Sequence, residues 1–332
     1  MDLLLIIPIF LGFLVTAFVI PYWIKRAEKT GLVWEDMNKP KRPKIVGSGG
    51  IAVLFGFILG VLSYIAIKTF VLKTDITTVE IFALLTTVLI AGMIGIIDDL
   101  LGWVHGGLSA GLRVFLVLIA AVPLMVINAG ESKMMGVSLG PLYPLLAIPI
   151  GIIGSTVTFN FLAGYNGLET SQGIIILSAL ALVNWLSGTS WLSLILLIMI
   201  ACLIAFYLFN MYPAKIFPGD VLTYSVGSLI GVAEVLGNTE KIAIFFFTPY
   251  IIETILKVRG KLKKYSFAKV NIDGSLEVQY EKFYGLEHVA IYLLKKIRKE
   301  KKVYEWQVVA TINLFQIIII VIGLILFGRN LF

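Results

Sequence analysis

The sequence predicts an all-α polytopic membrane protein with about ten transmembrane helices. Of its 332 residues, 59% are hydrophobic and 14% are charged, whereas a soluble domain carries about 25% charged residues. The mean hydropathy is +0.97, and the apolar residues form long runs without a charge, as in 317–327. Each helical span needs about 20 such residues because hydrocarbon leaves every backbone group to be hydrogen-bonded internally. The short alternating segments typical of a transmembrane β-barrel are not seen.

Ten apolar stretches account for the predicted spans. They lie at 3–23, 50–72, 79–97, 112–128, 142–159, 172–187, 191–209, 221–236, 241–256 and 307–327. Within 142–187, three glycines are positions where a span could tilt or break, namely Gly151, Gly154 and Gly173. The first stretch has no basic residue before it and no small-residue cleavage site after it, so we expect a retained span rather than a signal peptide.

Basic residues concentrate in the loops at one end of this predicted bundle. The loops that follow odd-numbered spans carry 22 of the 27 Lys and Arg residues. The positive-inside rule makes that end cytoplasmic, which places both termini outside. Because the formal net charge of +7 follows membrane topology in this way, we expect no nucleic-acid partner.

The sizeable soluble segment is 257–306, which we expect to be an insertion within a single transmembrane domain, 1–332. Residues 270–278 alternate in polarity around Asp273-Gly274, a pattern that predicts a β-hairpin. Residues 286–306 then place apolar positions at helical spacing among many Lys and Arg. This pattern favours an amphipathic helix lying on anionic headgroups. A solvated basic helix is the alternative.

Cysteine and histidine are too scarce for several kinds of site. The single cysteine, Cys202, excludes an internal disulfide and a CxxC metal site. The two histidines, His105 and His288, lie too far apart in sequence for zinc chemistry of the HExxH type.

Polar residues unusual for a membrane protein all fall at the predicted cytoplasmic end. They are Asp36, Asn38, Lys39, Asp98, Asp99, Asn160, Asn166 and Asp220. Adjacent carboxylates at a membrane boundary are costly unless they are paired or bind a metal. Their oxygen atoms suit Mg²⁺ or Mn²⁺ rather than zinc, and nearby lysines and Arg113 suit phosphates. The cluster predicts a divalent metal and a phosphate-bearing substrate; for Asp98-Asp99 alone, a water-exposed helix end is the alternative.

Three segments carry a resemblance to a known family. They are Asp98-Asp99, 160–169 (NFLAGYNGLE) and 210–220 (NMYPAKIFPGD). Together they resemble the motifs of the polyprenyl-phosphate N-acetylhexosamine-1-phosphate transferases of glycosyltransferase family 4. The sequence is most similar to the archaeal and eukaryotic branch, which uses UDP-GlcNAc and dolichyl phosphate. The resemblance covers nearly the whole chain, including the expected hairpin.

The resemblance implies that a lipid phosphate attacks the β-phosphorus of UDP-GlcNAc and releases UMP. It implies catalytic roles at the reacting phosphates for Asp98, Asp99 and Arg113. It implies Mg²⁺ binding, with Mn²⁺ as the alternative, by Asn160 and Asp220. Asn166 would read the uracil edge between Gly164 and Phe217, with a backbone contact from Met37. The remaining implied substrate-binding residues are Asp36, Asn38, Lys39, Arg259, Lys261 and Lys264.

Two features depart from the family pattern. Gly47 stands where the eukaryotic enzymes carry an acidic residue, and Gly102 stands where an asparagine follows the two aspartates. The basic stretch 259–264 is the nearest match to the family's sugar-binding loop, and a purely topogenic role is an equal alternative. The sugar is therefore left open between GlcNAc and another N-acetylhexosamine, and the lipid between dolichyl and undecaprenyl phosphate.

Other functional classes also remain open at this stage. A secondary transporter would use buried ionisable residues such as Glu234 and Glu253, and a scaffolding protein would need no site. The short outer loops favour a plasma-membrane location, or the endoplasmic reticulum if the source is eukaryotic. Spans rich in Gly and Ala also allow a homodimer.

Overall fold

The computed structural model of the chain describes residues 3–74, 77–130, 133–134 and 137–328. Its α-helices are α1 Ile7–Thr30, α2 Gly50–Ala66, α3 Thr78–His105, α4 Ala110–Val126, α5 Ile148–Phe159, α6 Leu168–Leu186, α7 Ser190–Asn210, α8 Gly219–Gly237, α9 Glu240–Phe246, α10 Thr248–Arg259, α11 Leu286–Ile297 and α12 Glu305–Phe327. A 3₁₀ turn, Leu3–Ile6, precedes α1, and π-helical turns follow α2 at Ile67–Leu72 and precede α5 at Tyr143–Ala147.

Three small antiparallel hairpins complete the described structure. They pair β1 Val33–Glu35 with β2 Lys44–Val46, β3 Lys133–Met134 with β4 Val137–Ser138, and β5 Lys269–Val270 with β6 Leu276–Glu277. The hairpin predicted at 270–278 is β5–β6, with its turn at Asp273-Gly274. The sequence did not predict the other two.

The helices confirm the predicted fold class of a polytopic membrane protein. Among the described residues, seven helices are long and apolar enough to cross a membrane: Leu3–Thr30, Gly50–Leu72, Thr78–Trp103, Leu168–Leu186, Ser190–Asn210, Gly219–Gly237 and Glu305–Phe327. Two apolar helices are shorter, Ala110–Val126 and Tyr143–Phe159. Large apolar side chains such as Phe18 and Ile325 point outward, with exposed fractions of 83% and 69%, as expected where hydrocarbon replaces water.

Each of the ten predicted stretches lies on a helix, but the boundaries differ. The stretch 241–256 is two helices, α9 and α10, because α9 ends before Phe247 and a new helix starts with Pro249 in its first turn, where a missing N–H costs nothing. Helix α1 runs seven residues beyond its predicted end, through Lys25 and Arg26. A charged residue can end a membrane span without ending a helix, so the boundary predicted at 23 refers to the span and not to the helix. The glycines of 142–187 do not interrupt α5 or α6.

The single helix predicted at 286–306 is wrong. Helix α11 ends at Ile297, a hydrogen-bonded turn follows at 298–301, and α12 begins at Glu305. The reason is that the Leu276 amide donates to the Val303 carbonyl at 2.7 Å, so the backbone pairs with the hairpin instead of continuing the helix. The amphipathic character survives in α11, where Leu293 and Ile297 are exposed. Contact with headgroups stays a prediction.

Close packing of α3 against α8 brings two of the polar motifs together. A Cβ atom on Gly95 would lie 2.5 Å from the backbone of Asp220 and Val221, so only glycine allows this approach. The end of α3, with Asp98 and Asp99, therefore lies beside the start of α8. The helices alternate in direction, which gathers the loops after α1, α3, α5 and α7 at one end of the molecule.

Candidate active site

A cavity of about 420 Å³ lies at that end of the helices. Seven of the residues predicted from the sequence line it: Asp36, Met37, Asp99, Asn160, Gly164, Phe217 and Asp220. They come from four loops and helix ends, so the fold brings the three motifs and the first loop to one place. This clustering supports the interpretation of the polar residues as one site.

Asp98 and Arg113 form a charged pair behind the cavity. The Asp98 carboxylate is bound by the guanidinium through Arg113 Nε at 2.6 Å and Nη2 at 3.1 Å. The Leu108 amide also donates to Asp98 Oδ1 at 2.7 Å. The Asp98 side chain is only 1% exposed, whereas that of Arg113 is 32% exposed. The guanidinium and the amide compensate the burial of this carboxyl group, and the exposed part of Arg113 can attract an anion.

Asp99 binds the N-terminus of α8. Its Oδ1 accepts a hydrogen bond from the Asp220 amide at 2.7 Å, and the Val221 amide lies nearby. Free N–H groups and the helix dipole favour a negative charge at this position. The contact fixes the Asp99 carboxylate inside the cavity, next to the Asp220 side chain.

The donor set of the cavity fits a hard divalent cation. Asp220 interacts electrostatically with both Asp98 and Asp99, and in the described part of the chain Arg113 is the one cation ion-paired with these carboxylates. The excess negative charge and the amide oxygen of Asn160 suit Mg²⁺. Since no three His, Cys, Asp or Glu side chains of the described residues gather as a metal-binding group, other ligands would have to come from amides, substrate or water.

Asn166 lies beneath the cavity in a network of buried polar groups. Its Nδ2 donates to Asp36 Oδ2 at 3.2 Å, and its Oδ1 accepts from the Ala214 amide at 2.9 Å and from Lys39 Nζ at 3.2 Å. Its backbone amide donates to Glu305 Oε1 at 2.7 Å, and Glu305 also pairs with Lys39. Since Asn166 does not line the cavity, its reading of a uracil edge stays a prediction.

Asn38 joins three loops. Its Nδ2 donates to the Gly164 carbonyl at 3.0 Å, and its Oδ1 accepts from the Ala268 amide at 3.2 Å. The side chain is buried, and its own amide lies 3.3 Å from Asp36 Oδ1. Asn38 therefore holds the cavity wall together rather than lining it.

We expect Asn38→Ala to lower the apparent melting temperature in detergent. The substitution leaves the part-buried Gly164 carbonyl and the buried Ala268 amide without this partner, at a cost of about 2 kcal/mol. Asn271→Ala removes the side-chain hydrogen bonds to Ser275 and Glu277 within the partly exposed β5–β6 hairpin; it is the matched control and should shift the melting temperature much less. Equal shifts for the two variants would contradict the bracing role of Asn38.

Phe267 forms a wall of the cavity beside Gly164. A Cβ atom on Gly164 would lie 2.8 Å from the Phe267 ring, so the two are in direct contact. The Gly164 amide donates to Glu169 Oε1 at 2.8 Å, and the Tyr165 hydroxyl donates to the Ser266 carbonyl at 3.2 Å. Burial raises the pKa of Tyr165 well above its usual value, so the hydroxyl keeps its proton.

The basic stretch 259–264 lies away from the cavity. Arg259, Lys261 and Lys264 are exposed at the end of α10 and in the following turn, and Lys264 Nζ lies 5.0 Å from the centre of the Tyr280 ring. The structure does not bring these side chains to the other site residues. Their roles in substrate binding stay predictions.

Gly47 has a packing explanation. A Cβ atom there would lie 2.1 Å from the indole ring of Trp34, which covers the position and itself lines the cavity. No acidic side chain fits while the indole is in place.

Sequence reasoning missed several residues of the site. Ser48, Glu169, Asn210, Thr223 and Phe267 line the cavity, and Glu305 supports Asn166 from below. Glu169 and Asn210 stand inside the quoted motifs, so a search for every polar residue of those motifs would have found them. Glu305 fell near the end of the helix predicted at 286–306, among many charged residues, and nothing in the sequence pointed to Phe267.

Residues 81–238 match the family described as glycosyl transferase family 4. A relative from Saccharolobus solfataricus, provisionally named a UDP-N-acetylglucosamine–dolichyl-phosphate N-acetylglucosaminephosphotransferase, is 35% identical over 332 aligned positions, covering 98% of this chain and 97% of the relative. The chain belongs to glycosyl transferase family 4. The resemblance drawn from the sequence motifs is thereby confirmed.

Two further relatives show the breadth of family 4. The UDP-N-acetylglucosamine–dolichyl-phosphate N-acetylglucosaminephosphotransferase of Dictyostelium discoideum is 27% identical over 288 positions, covering 74% of this chain and 69% of the relative. The phospho-N-acetylmuramoyl-pentapeptide-transferase of Streptococcus pyogenes is 25% identical over 264 positions, covering 76% of this chain and 78% of the relative. In this family 4 chain, the matched region contains Asp98, Asp99, Asn160 and Asp220 but neither the first loop, with Asp36, nor 259–264.

Proposed function

We propose that the protein transfers GlcNAc-1-phosphate from UDP-GlcNAc to dolichyl or another polyprenyl phosphate, releasing UMP, as the first membrane step of lipid-linked oligosaccharide synthesis. The observation that carries the proposal is the single cavity that joins Asp99, Asn160 and Asp220 to Gly164 and Phe217. The names of the Saccharolobus and Dictyostelium relatives support the same substrates. The proposal includes ten crossings, both termini outside, and a cytoplasmic site in the plasma membrane.

An apolar groove supports a lipid acceptor. It has a volume of about 500 Å³ and is lined by Leu142, Ile150, Phe247 and Ile251, among others, and by Thr158. Thr158 stands two residues before Asn160 of the cavity. The groove would therefore hold a polyprenyl chain whose phosphate reaches the carboxylates.

The reaction forms one P–O bond and breaks another. A lipid phosphate oxygen attacks the β-phosphorus of UDP-GlcNAc, and the bond from that phosphorus to the bridging oxygen breaks, so that UMP leaves. Mg²⁺ held by Asn160 and Asp220 would neutralise charge on the diphosphate. Arg113 would reduce the repulsion between the two anions, while Asp98 holds Arg113 in place. Asp99 would orient the reacting groups; a general-base role for it is the alternative.

The phosphate acceptor predicts a pH dependence. A phosphate monoester has a second pKa near 6, so its dianion, the better nucleophile, accumulates as the pH rises through that value. We expect the transfer rate to rise between about pH 5 and 7 and then level off. Initial rates of UMP release at saturating UDP-GlcNAc would measure this dependence. A rate that is flat across this range would contradict the proposal that Asp98 and Asp99 only neutralise charge and position the reacting groups.

An exchange assay tests the function. Radiolabelled UMP should be incorporated into UDP-GlcNAc only in the presence of Mg²⁺ and a lipid substrate. That substrate is either lipid-linked GlcNAc diphosphate or the lipid phosphate supplied together with unlabelled UDP-GlcNAc. A panel of UDP-sugars, each offered with dolichyl and undecaprenyl phosphate, separates GlcNAc transfer from the related muramoyl-peptide chemistry. A folded protein that catalyses no exchange with any UDP-sugar would overturn the proposal and favour a transporter.

A further inference from the structure

A second group of buried polar side chains lies behind the Phe267 wall and takes no part in the proposed reaction. We call it the clamp cluster: Glu253 and Lys257 of α10, Ser266 of the following segment, Gly285, and Glu287 of α11. Both glutamates have an exposed fraction of 0%. Such groups are costly to bury unless they are paired.

Two members of the clamp cluster join three parts of the chain. Glu253 Oε2 accepts from the Leu286 amide at 2.6 Å, which fixes the start of α11 against α10. Lys257 Nζ lies 3.6 Å from Glu253 Oε1 and donates a hydrogen bond to Ser266 Oγ. The segment after α10 is thus tied to both helices.

Glu287 completes the clamp cluster. A Cβ atom on Gly285 would lie 2.4 Å from Glu287 Oε2, 3.2 Å from Glu253 Oε1 and 3.3 Å from Ser266 Oγ. The two carboxyl groups and the hydroxyl therefore converge around this glycine, with one ammonium group for two carboxyls. Burial raises the pKa of Glu287 well above its usual value, and the charge of Glu253 raises it further. This shift favours the protonated form of Glu287, and a protonated carboxyl group donates a hydrogen bond.

The clamp cluster is directly connected to the cavity. Ser266 precedes Phe267, which lines the cavity and contacts Gly164. The flanking backbone is held by Tyr165, whose hydroxyl donates to the Ser266 carbonyl, and by Asn38, which accepts from the Ala268 amide. The position of the Phe267 ring therefore depends on Ser266 and on the groups that hold it.

We propose that Glu287 and its partners in the clamp cluster are positioning residues that hold the Phe267 wall and so set the affinity for the nucleotide-sugar. The identity of this nucleotide-sugar, UDP-GlcNAc, rests on the proposed function. The reacting carboxylates belong to α3 and α8, whereas the clamp cluster belongs to α10, α11 and the segment between them. A defect in the clamp cluster should therefore change KM and leave kcat nearly unaffected.

Two substitutions of one residue test the proposal. Glu287→Ala should raise KM for UDP-GlcNAc about tenfold with kcat within about twofold of the original. Glu287→Gln keeps a neutral hydrogen-bonding side chain of the same shape and should restore KM to within about twofold. An unchanged KM in Glu287→Ala, a Gln variant as impaired as the Ala variant, or a loss confined to kcat would overturn the proposal.

A second readout needs no substrate. Hydrogen–deuterium exchange of the amides at 265–268 should be faster in Glu287→Ala than in the original and in Glu287→Gln, and unchanged exchange would overturn the positioning role of Glu287.

A double-mutant cycle tests whether Glu287 acts through Phe267. Phe267→Leu and Glu287→Ala should raise KM less together than the product of their separate effects, and independent effects would also overturn the positioning role. If the original protein transfers no sugar phosphate at all, the proposed function fails. The hydrogen–deuterium exchange data would still show whether Glu287 holds the segment 265–268 in place.

Discussion

Asp99→Asn is expected to reduce the rate of transfer by about a thousandfold while leaving the protein folded. Asp99 lines the cavity and is fixed by the amide of Asp220. The amide side chain of Asn can still accept that hydrogen bond, so the fold is preserved. It lacks the negative charge with which Asp99 would attract the metal held at Asn160 and Asp220 and so orient the metal-bound phosphates. The measurement is kcat for UMP release in detergent, at saturating Mg²⁺ and both substrates.

Asp273→Asn is the matched control for this substitution. It makes the same chemical change in an aspartate of the β5–β6 hairpin, which forms an ion pair with Lys302 at 2.8 Å and lies outside the cavity. We expect its kcat to stay within about twofold of the original. A kcat for Asp99→Asn within tenfold of the original would contradict the proposed role of Asp99. Residual activity that keeps the pH dependence of the lipid phosphate would favour charge neutralisation over a general base.

Gly219→Ala is the second substitution with a large expected effect, a loss of about a hundredfold in kcat. Gly219 has φ +71°, and a Cβ atom there would lie 2.2 Å from Asp99 Oδ2 and 2.9 Å from the Ser48 Cα. Because the Ser48 backbone cannot yield easily, the Asp99 carboxylate would have to move out of place. The measurement is kcat together with the melting temperature in detergent.

Gly188→Ala separates this collision from the cost of the backbone conformation. Gly188 has φ +87°, but a Cβ atom there would meet nothing within 4 Å. Both variants bear the strain of a left-handed backbone, about 1–2 kcal/mol, and only Gly219→Ala displaces Asp99. Similar kcat values for the two variants would show that the contact with Asp99 does not matter for catalysis.

The sequence predicted the architecture well where one physical signal was dominant. Long apolar runs placed a helix under each predicted span, since hydrocarbon allows few alternatives. It failed where distant contacts decide: the backbone pairing of Leu276 with Val303 ends the helix predicted at 286–306. The hairpin β1–β2 was also missed, because 33–46 lacks an Asp-Gly pair like the one that reveals the β5–β6 hairpin.

The site was predictable to the extent that its chemistry is local in sequence. Asp98-Asp99, Asn160 and Asp220 are unusual at a membrane boundary, and the family motifs placed them together. Phe267 could not be found this way, since an aromatic residue in an apolar chain is unremarkable until its contact with Gly164 is seen. For Arg259, Lys261 and Lys264 the sequence leaves the role undecided, because a positive charge near a membrane serves topology as readily as binding, and their roles in substrate binding stay predictions.

The pairing of Lys39 with Glu305 joins residues 266 positions apart in the sequence. The first loop and the start of the last helix must therefore both be in place before Asn166 acquires its full set of partners. During synthesis, the ribosome releases the first loop long before it reaches Glu305. A nascent chain with most of its helices already inserted would still lack the contacts of Glu305 with Asn166 and Lys39, so we expect activity to begin only when α12 enters the bilayer.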